Sequence, residues 1–509
     1  MSRGEADMVR RSKSWVDVER EIRRQKGQFW TPEWVAEAMV AWVLAGGAKE
    51  LFDPAVGQGV FLSAAKRLCE KNNVEVRLYG TEIDKDIVSL YRLSEIADVE
   101  IRDFVLNPPS RRFQAIVANP PYIRHHRLSP ETKTKLKSRA HQIIGKPLDM
   151  RVGLHTYFLV QALDLLDENG RLAFIISADV CEGVASKPLW EWVTKRYRID
   201  AVVTFSPEAS PFPDLDVNPI ILCISRRPPT STVYWALCKK RGTPDLFRWM
   251  ESEFSCVGSD LEVYVRDVSE AVMTGLSRRP RPPMTSTEKI FPLGYFASVM
   301  RGIATGANSF FLLTKRDIER LGLPEDFFHR AIARTRDAPN NVLTKDFLDN
   351  LDAKGRPTYL LYYVDKPFDE LPDSIKNYLK IGERLGLPNR PLIKTRKPWY
   401  KVERREVPII LFAYLGRRNC RFILNEAKAL PLTGFLCVYP HVGVDAKNLW
   451  QALNTPEVLS NLQYVAKSYG GGAIKVEPRA LEQLPIPESI VRALSLFPPS
   501  SEKECVLLR

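Results

Sequence analysis

Between Thr31 and Arg227 the sequence alternates short apolar runs of strand type with amphipathic helical stretches, joined by short connections. No other feature limits the fold as strongly. The stretch "TPEWVAEAMVAWVLAGG" has a Thr-Pro entry and a Gly exit, and it places Trp34, Val35, Ala38, Met39, Trp42 and Val43 on one helical face. Next come "ELFDPAVGQG" (strand into turn), "VFLSAAKRLCEK" (helix), "VRLYGTEI" (strand), "KDIVSLYRLSEIA" (helix), and the strands "VEIRDFV" and "QAIVANPPY". A basic, polar interval leads to "LHTYFLVQALDLLDENG" (helix), "RLAFIISADV" (strand), "LWEWVTKRY" (helix), and the strands "IDAVVTF" and "NPIILCIS". Such alternation implies an α/β fold with a doubly wound, mostly parallel sheet. Ligands of these sheets sit beyond the carboxyl ends of the strands.

Past Arg227 the rhythm breaks. "STVYWALCKK" reads as one last strand, and the Pro- and Arg-rich "SRRPRPPMTSTEK" then marks a boundary near Pro282. The chain of 509 residues is too long for one ordinary core, so residues 1–282 and 283–509 are expected to form separate domains, the second of mixed α+β type. No apolar run reaches membrane-spanning length, and the charged N-terminal stretch has no secretory signal pattern, so a cytoplasmic protein without a membrane partner is expected. The eight cysteines and six histidines show no C-x-x-C or H-x-x-x-H spacing, and no metal site is expected. The net charge of +13 comes with basic runs in both halves, among them "KTKLKSRAH" and "KTRKPWYKVERR". Aromatic residues interleave with them, as suits a polyanionic partner.

Acidic residues mark the first three strand ends: Asp53 in "DPAVGQG", Glu82 in "GTEID" and Asp103 in "IRDF". Carboxylates so placed can accept hydrogen bonds from a ribose, an adenine amino group or an ammonium, and Gly57 and Gly59 allow a tight turn close to a ligand. By itself such a turn also joins strand to helix in proteins with no ligand there. "ANPPY" adds a second element. Pro120 and Pro121 have no backbone N–H, so strand pairing stops and a stiff segment remains. An amine on an aromatic base is a poor nucleophile because its lone pair is delocalised. Acceptors aimed at its N–H bonds favour the tetrahedral geometry that attack requires. The Asn119 side-chain oxygen and the Pro120 carbonyl can serve as such acceptors, and Tyr122 offers a ring for stacking.

The set "GQFWTP", "DPAVGQG", "GTEID", "IRDF" and "ANPPY", in this order and at these strand ends, resembles the S-adenosylmethionine-dependent N6-adenine DNA methyltransferases of the γ class, the Taq type. The resemblance covers the first half closely. "RGIATGANSFFLL", "KTRKPWYKVE" and "GGGAIKVEPRALEQLPIP" in the second half look more loosely like the target recognition domain of that group. It implies a Rossmann-like methyltransferase domain followed by a target recognition domain, with S-adenosylmethionine as cofactor, double-stranded DNA as partner and base flipping. Gln28, Thr31 and Pro32 would border the methionine end of the cofactor. Asp53, Ala55, Gly57 and Gly59 would form the turn beneath it, Glu82 with Ile83 would hold the ribose, and Asp103 with Phe104 the adenine. Asn119, Pro120, Pro121 and Tyr122 would be the catalytic segment, with Asn119 also at the cofactor, and Phe212 in "PFPDLDVNP" the second aromatic against the flipped base. Arg301, Lys394, Arg396, Lys397 and Trp399 would contact DNA. A monomer is expected, as the modification half of a restriction-modification system with a separate endonuclease.

"LNPPS", Leu106 to Ser110, repeats the Asn-Pro-Pro but carries Ser110 where an aromatic is needed. Other readings stay open at this point. The same signature occurs in methyltransferases of ribosomal RNA guanine and of protein glutamine, which are usually smaller. A bifunctional nuclease and methylase would need a metal-binding carboxylate cluster, of which Glu426 and Lys428 supply only a fragment.

Overall fold

The computed structural model describes residues 29–181, 186–213, 217–280, 288–413, 420–469 and 473–497. The chain forms two compact units, Met1–Pro280 and Arg281–Arg509.

The first unit is built on a nine-stranded sheet. Its strands are β1 (Glu50–Asp53), β2 (Arg77–Glu82), β3 (Asp98–Ile101), β4 (Phe113–Ala118), β5 (Leu166–Ser177), β6 (Arg198–Phe205), β7 (Pro219–Ser225), β8 (Thr232–Cys238) and β9 (Leu261–Asp267), in the order β3-β2-β1-β4-β5-β7-β6-β8-β9. The run from β3 to β5 is parallel throughout. β7 lies antiparallel between β5 and β6, and β9 antiparallel on β8. Alternate side chains feed two cores. On one face Leu51, Val117, Ile175 and Val203 pack with helices α1 (Glu33–Leu44), α2 (Val60–Asn72) and a later helix, Pro244–Glu251. On the other, Phe52, Ile116, Phe174 and Val202 meet helices supplying Leu136, Phe158, Trp190 and Ala271. The sheet is therefore doubly wound. The strand order reverses at β1, between β2 and β4, which is where such sheets open a ligand crevice.

The structure departs from the sequence expectation at four places. α1 is buried all along from Val35 to Val43 except at Glu37, not on one face, because the sheet, α2 and Pro244–Glu251 enclose it together. The helix expected over 85–97 stops at Leu90 as α3 (Lys85–Leu90), where Arg92 takes φ 49° and a short 3-10 turn follows. The basic interval holds a helix, α4 (Pro130–Ile144). Ser129 caps it by accepting from the Thr132 N–H at 3.1 Å, and only Leu136, Ala140 and Ile144 are fully buried. This sparse stripe hid it. β9 and its following helix, Val268–Thr274, also extend the sheet past the expected last strand.

The second unit is mixed α+β. One antiparallel sheet orders Ala297–Arg301, Phe435–Pro440, Ile410–Ala413 and Arg421–Leu424, and a second orders Leu312–Leu313, Tyr359–Leu361, Phe328–Ile332 and Leu430–Pro431. Among the described residues no helix is long and apolar enough to cross a membrane.

The end of β2 holds the turn after β1. Thr81 Oγ1 donates to the Pro54 carbonyl at 2.9 Å, and the Val56 N–H donates to the Thr81 carbonyl at 3.2 Å. Gly80 permits this approach, since a Cβ there would lie 2.3 Å from Val56 Cγ2 and 3.2 Å from the Asp53 carbonyl oxygen. Gly80→Ala should therefore lower unfolding stability by about 1–3 kcal/mol through overpacking. Denaturant titration checks it, and an unchanged midpoint would refute the close approach.

Candidate active site

The carboxyl ends of β1 to β4 border a cavity of about 310 Å³, walled by Thr31, Ala55, Gly57, Glu82, Ile83, Asp103, Phe104, Asn119 and Pro121 among others. These come from five separate stretches of sequence, gathered by the parallel strand ends. The β1–α2 turn is made possible by Gly57 and Gly59 at φ 52° and 78°. Glu82 ties this turn to the next. Its Oε2 accepts from the Gly57 N–H at 2.9 Å, and its Oε1 accepts from the N–H groups of Ile83 at 2.9 Å and Asp84 at 3.1 Å. Asp103 Oδ1 accepts from the Val105 and Leu106 N–H groups, both at 3.0 Å, which turns the chain after β3. Phe104 is anchored between Phe52 and Phe158, with centroids 5.8 and 5.3 Å away.

Asp53 lies behind this wall, fully buried. Its Oδ1 accepts from the Ala55 N–H at 3.0 Å, and its Oδ2 has no hydrogen-bond partner among the described residues. Burial pushes its carboxyl up to about 8, against the pull of the Ala55 N–H, and the Glu82 charge adds to the rise.

At the end of β4 the Asn119 amide is oriented by two acceptors. Its Nδ2 donates to the Phe29 carbonyl at 2.6 Å and to Thr31 Oγ1 at 3.0 Å. A backbone carbonyl can only accept, so the amide is fixed with its NH₂ on that side and its oxygen directed away. Thr31 makes no capping bond to α1, whose N-cap is Pro32. Tyr122 is buried, and its hydroxyl donates to the Ile175 carbonyl of β5 at 3.2 Å. Its ring meets Phe29 at 5.5 Å and Phe212 at 6.4 Å, and Phe29 and Phe212 are 6.3 Å apart. Burial raises the phenol, so it stays protonated.

Most of the expected site residues thus converge. Pro32, Gly59, Pro120, Tyr122 and Phe212 adjoin the cavity without lining it, and Gln28 lies outside the described residues. Asn107 of "LNPPS" is exposed and off the cavity, and the Pro108 carbonyl accepts from Arg102 at 2.9 Å. That segment is a brace. In the second unit Arg301, Lys394 and Lys397 are exposed. Arg396 and Trp399 are half-buried. The Arg396 guanidinium donates to the Ala304 carbonyl at 2.5 Å and lies 5.7 Å from the Phe311 ring centre, and burial lowers its pKa. Trp399 packs on Phe310 at 5.9 Å. Both thus lie against Phe310 and Phe311 of this unit's core. Glu426 and Lys428 occupy a tight turn closed by the Asn425 side chain.

The sequence reading assigned no role to Phe29 and Trp30, or to Leu128, Thr132 and Leu136 of the α4 region and Leu154 and Phe158 of α5 (Leu154–Asp164), all on the cavity wall. The aromatic pair stood inside "GQFWTP" and could have been found there. The α4 residues carry no motif.

Carboxylates at adjacent strand ends, the apolar sides of Ile83 and Phe104, and a glycine turn fit an adenosine with its hydroxyls and a zwitterionic tail. With the oriented asparagine beside them, they define a Rossmann-like S-adenosylmethionine-dependent methyltransferase. Residues 18–236 match the N-6 DNA Methylase family, and residues 279–502 match the C-terminal domain of the type II methyltransferase M.Eco57I. Together these matches support an adenine-specific DNA methyltransferase. It is similar to the type II methyltransferase M.AccI of Acinetobacter calcoaceticus, at 25% identity over 91% of this chain and 85% of the relative. M.XamI of Xanthomonas campestris pv. amaranthicola is 23% identical over the same shares. A solved structure of the type IIL restriction-modification enzyme MmeI in complex with DNA aligns at 13% identity and a TM-score of 0.49, covering 89% of this chain and 63% of that one.

Asp53 gives a pH signature. Between the ordinary carboxyl value of 3.8 and about 8 the folded chain keeps a proton that the unfolded chain has lost. Stability from this group therefore falls as pH rises through that window. Asp53→Asn removes the penalty, so its melting temperature without cofactor should exceed wild type by a margin that grows from pH 5 to pH 8. Thermal melts across that range check it, and a margin independent of pH would refute the raised carboxyl.

Proposed function

We propose that the chain methylates N6 of one adenine within a specific duplex DNA sequence, as the modification half of a type II restriction-modification system. It does so as a monomer, beside a separate endonuclease. The observation that carries this reading is the Asn119 amide, whose NH₂ is committed to Phe29 and Thr31 and whose oxygen is left to accept.

The cofactor supplies an electrophilic methyl on a sulfonium. Glu82 and Ile83 would take its ribose, Asp103 and Phe104 its adenine, and the turn at Ala55 and Gly57 with Thr31 its methionine end. Asn119 Oδ1 and the Pro120 carbonyl accept from the two N6–H bonds of the target. As the nitrogen pyramidalises and gains positive charge, both bonds strengthen, so they lower the barrier more than they hold the ground state. The two prolines keep these acceptors in place before the base arrives. The target amine lies inside the duplex, so the base must be extruded. The rings of Tyr122, Phe29 and Phe212 adjoin the acceptors and offer the stacking surface. Met1–Pro280 carries the chemistry, and Arg281–Arg509 reads the sequence, with Arg301, Lys394 and Lys397 at the phosphates.

The reading is tested by sequencing with modified-base detection on DNA from cells expressing the protein, where N6-methyladenine is expected at one recurring sequence. Methyl transfer only to RNA or to protein glutamine would overturn it. Asn119→Ala should lower kcat by about 100-fold or more, with cofactor affinity within a few-fold, while Asn107→Ala stays near wild type. The reverse pattern would exchange the two loops. Lys394→Gln with Lys397→Gln should make the dependence of log affinity on log salt shallower, by about one unit for each phosphate no longer neutralised.

A further inference from the structure

We propose that His155 is a positioning residue for the catalytic segment, setting the Tyr122 ring and the turn after it through the contact of its imidazole with the phenol ring; this rests on the function proposed above. His155 is the second residue of α5, and the start of α5 is joined to the active loop, since the Leu154 N–H donates to the Ile123 carbonyl at 2.9 Å. Gly153 makes that contact possible. A Cβ there would come within 2.5 Å of His155 Cε1, 2.8 Å of Nδ1 and 3.0 Å of the Ile123 oxygen, so the imidazole and the chain leaving Tyr122 both crowd Gly153.

The imidazole and phenol rings stand 6.0 Å apart at 73°, edge to face. Tyr122 is thereby held at its hydroxyl by Ile175, at one side by His155 and at another by Phe29. These restraints fix the direction of the ring that a flipped base would meet.

His155 is buried, and its Nδ1 has no hydrogen-bond partner among the described residues. Nε2 stands 3.8 Å from Asp179 Oδ1, in the turn after β5. An apolar side chain would fill this space without the cost of an unpaired buried nitrogen, so packing alone does not account for a histidine here. Burial lowers its pKa, opposed in part by Asp179. Among the described residues, Asp179, from the turn after β5, and the Tyr122 phenol, from the loop after β4, are the titratable groups that face it. The imidazole is accordingly neutral at pH 7. Protonation would place a charge beside the Tyr122 ring and draw the imidazole toward Asp179.

Full-length His155→Ala, His155→Phe and Gly153→Ala test this. In His155→Ala, hydrogen–deuterium exchange of residues 119–125 should quicken. The kcat should fall about tenfold or more while cofactor affinity stays within about threefold, and 2-aminopurine at the target should lose much of its fluorescence rise. His155→Phe keeps an aromatic ring and should recover most of these, and it should lack the fall in kcat expected of wild type as pH drops below the ordinary histidine range and the lowered imidazole protonates. Gly153→Ala keeps the imidazole but displaces it, and should resemble His155→Ala even if that variant folds poorly. Wild-type exchange and kcat in a cofactor-binding His155→Ala, or His155→Phe as impaired as His155→Ala, would overturn the proposal. Exchange reads the positioning whatever the substrate is, whereas failure of wild-type protein to methylate duplex adenine would overturn the function instead.

Discussion

The reversal of strand order at β1 is the constraint on which the site depends. β2 lies on one side of β1 and β4 on the other, so the turn leaving β1 and the segment leaving β4 part from each other and leave a crevice that no helix of the described residues fills. The groups proposed for the cofactor, Glu82 and Asp103, collect on the β2 side, and those proposed for the target, Asn119 and Tyr122, on the β4 side. A methyl donor and an acceptor amine must approach each other along a line, and this topology gives each its own bank.

The two banks are joined by few bonds, and these use polar groups economically. Thr31 precedes α1, where a threonine would ordinarily cap the helix. Its hydroxyl instead accepts from Asn119, and the helix starts at Pro32 with the Val35 and Ala36 N–H groups donating to the Pro32 carbonyl, both at 3.1 Å. Glu82 likewise accepts from three backbone N–H groups while lining the cavity. Each of these side chains holds the fold and faces the site together, so neither can be exchanged for a purely structural residue.

Much of this was legible in the sequence because strand ends are punctuated. Asp53, Glu82, Asp103 and Asn119 each stand where an apolar run stops, and period and composition mark such stops plainly. α4 was not legible, since its inward stripe is only Leu136, Ala140 and Ile144 amid lysines, and sparse stripes do not exceed the background of a basic loop. The second unit resisted for another reason. Its strands are two to six residues long, too short for an alternation to repeat. Arg396 and Trp399 show what composition leaves out: a basic-aromatic run does not tell that Phe310 and Phe311 lie within reach and that both side chains pack partly against them. His155 stood in an apolar helical run, where nothing separates a histidine that positions a neighbour from one that fills space.

Pro120 bears on the durability of the site. Asparagines age by deamidation, in which the backbone nitrogen of the next residue attacks the side-chain amide and closes a succinimide ring. Proline has no hydrogen on that nitrogen, so Asn119 cannot follow this route. The change would be ruinous here, because an aspartate at 119 would set an anionic oxygen against the Phe29 carbonyl, where the amide now donates. The residue that stiffens the segment after β4 also shields its amide from the slow chemistry of water.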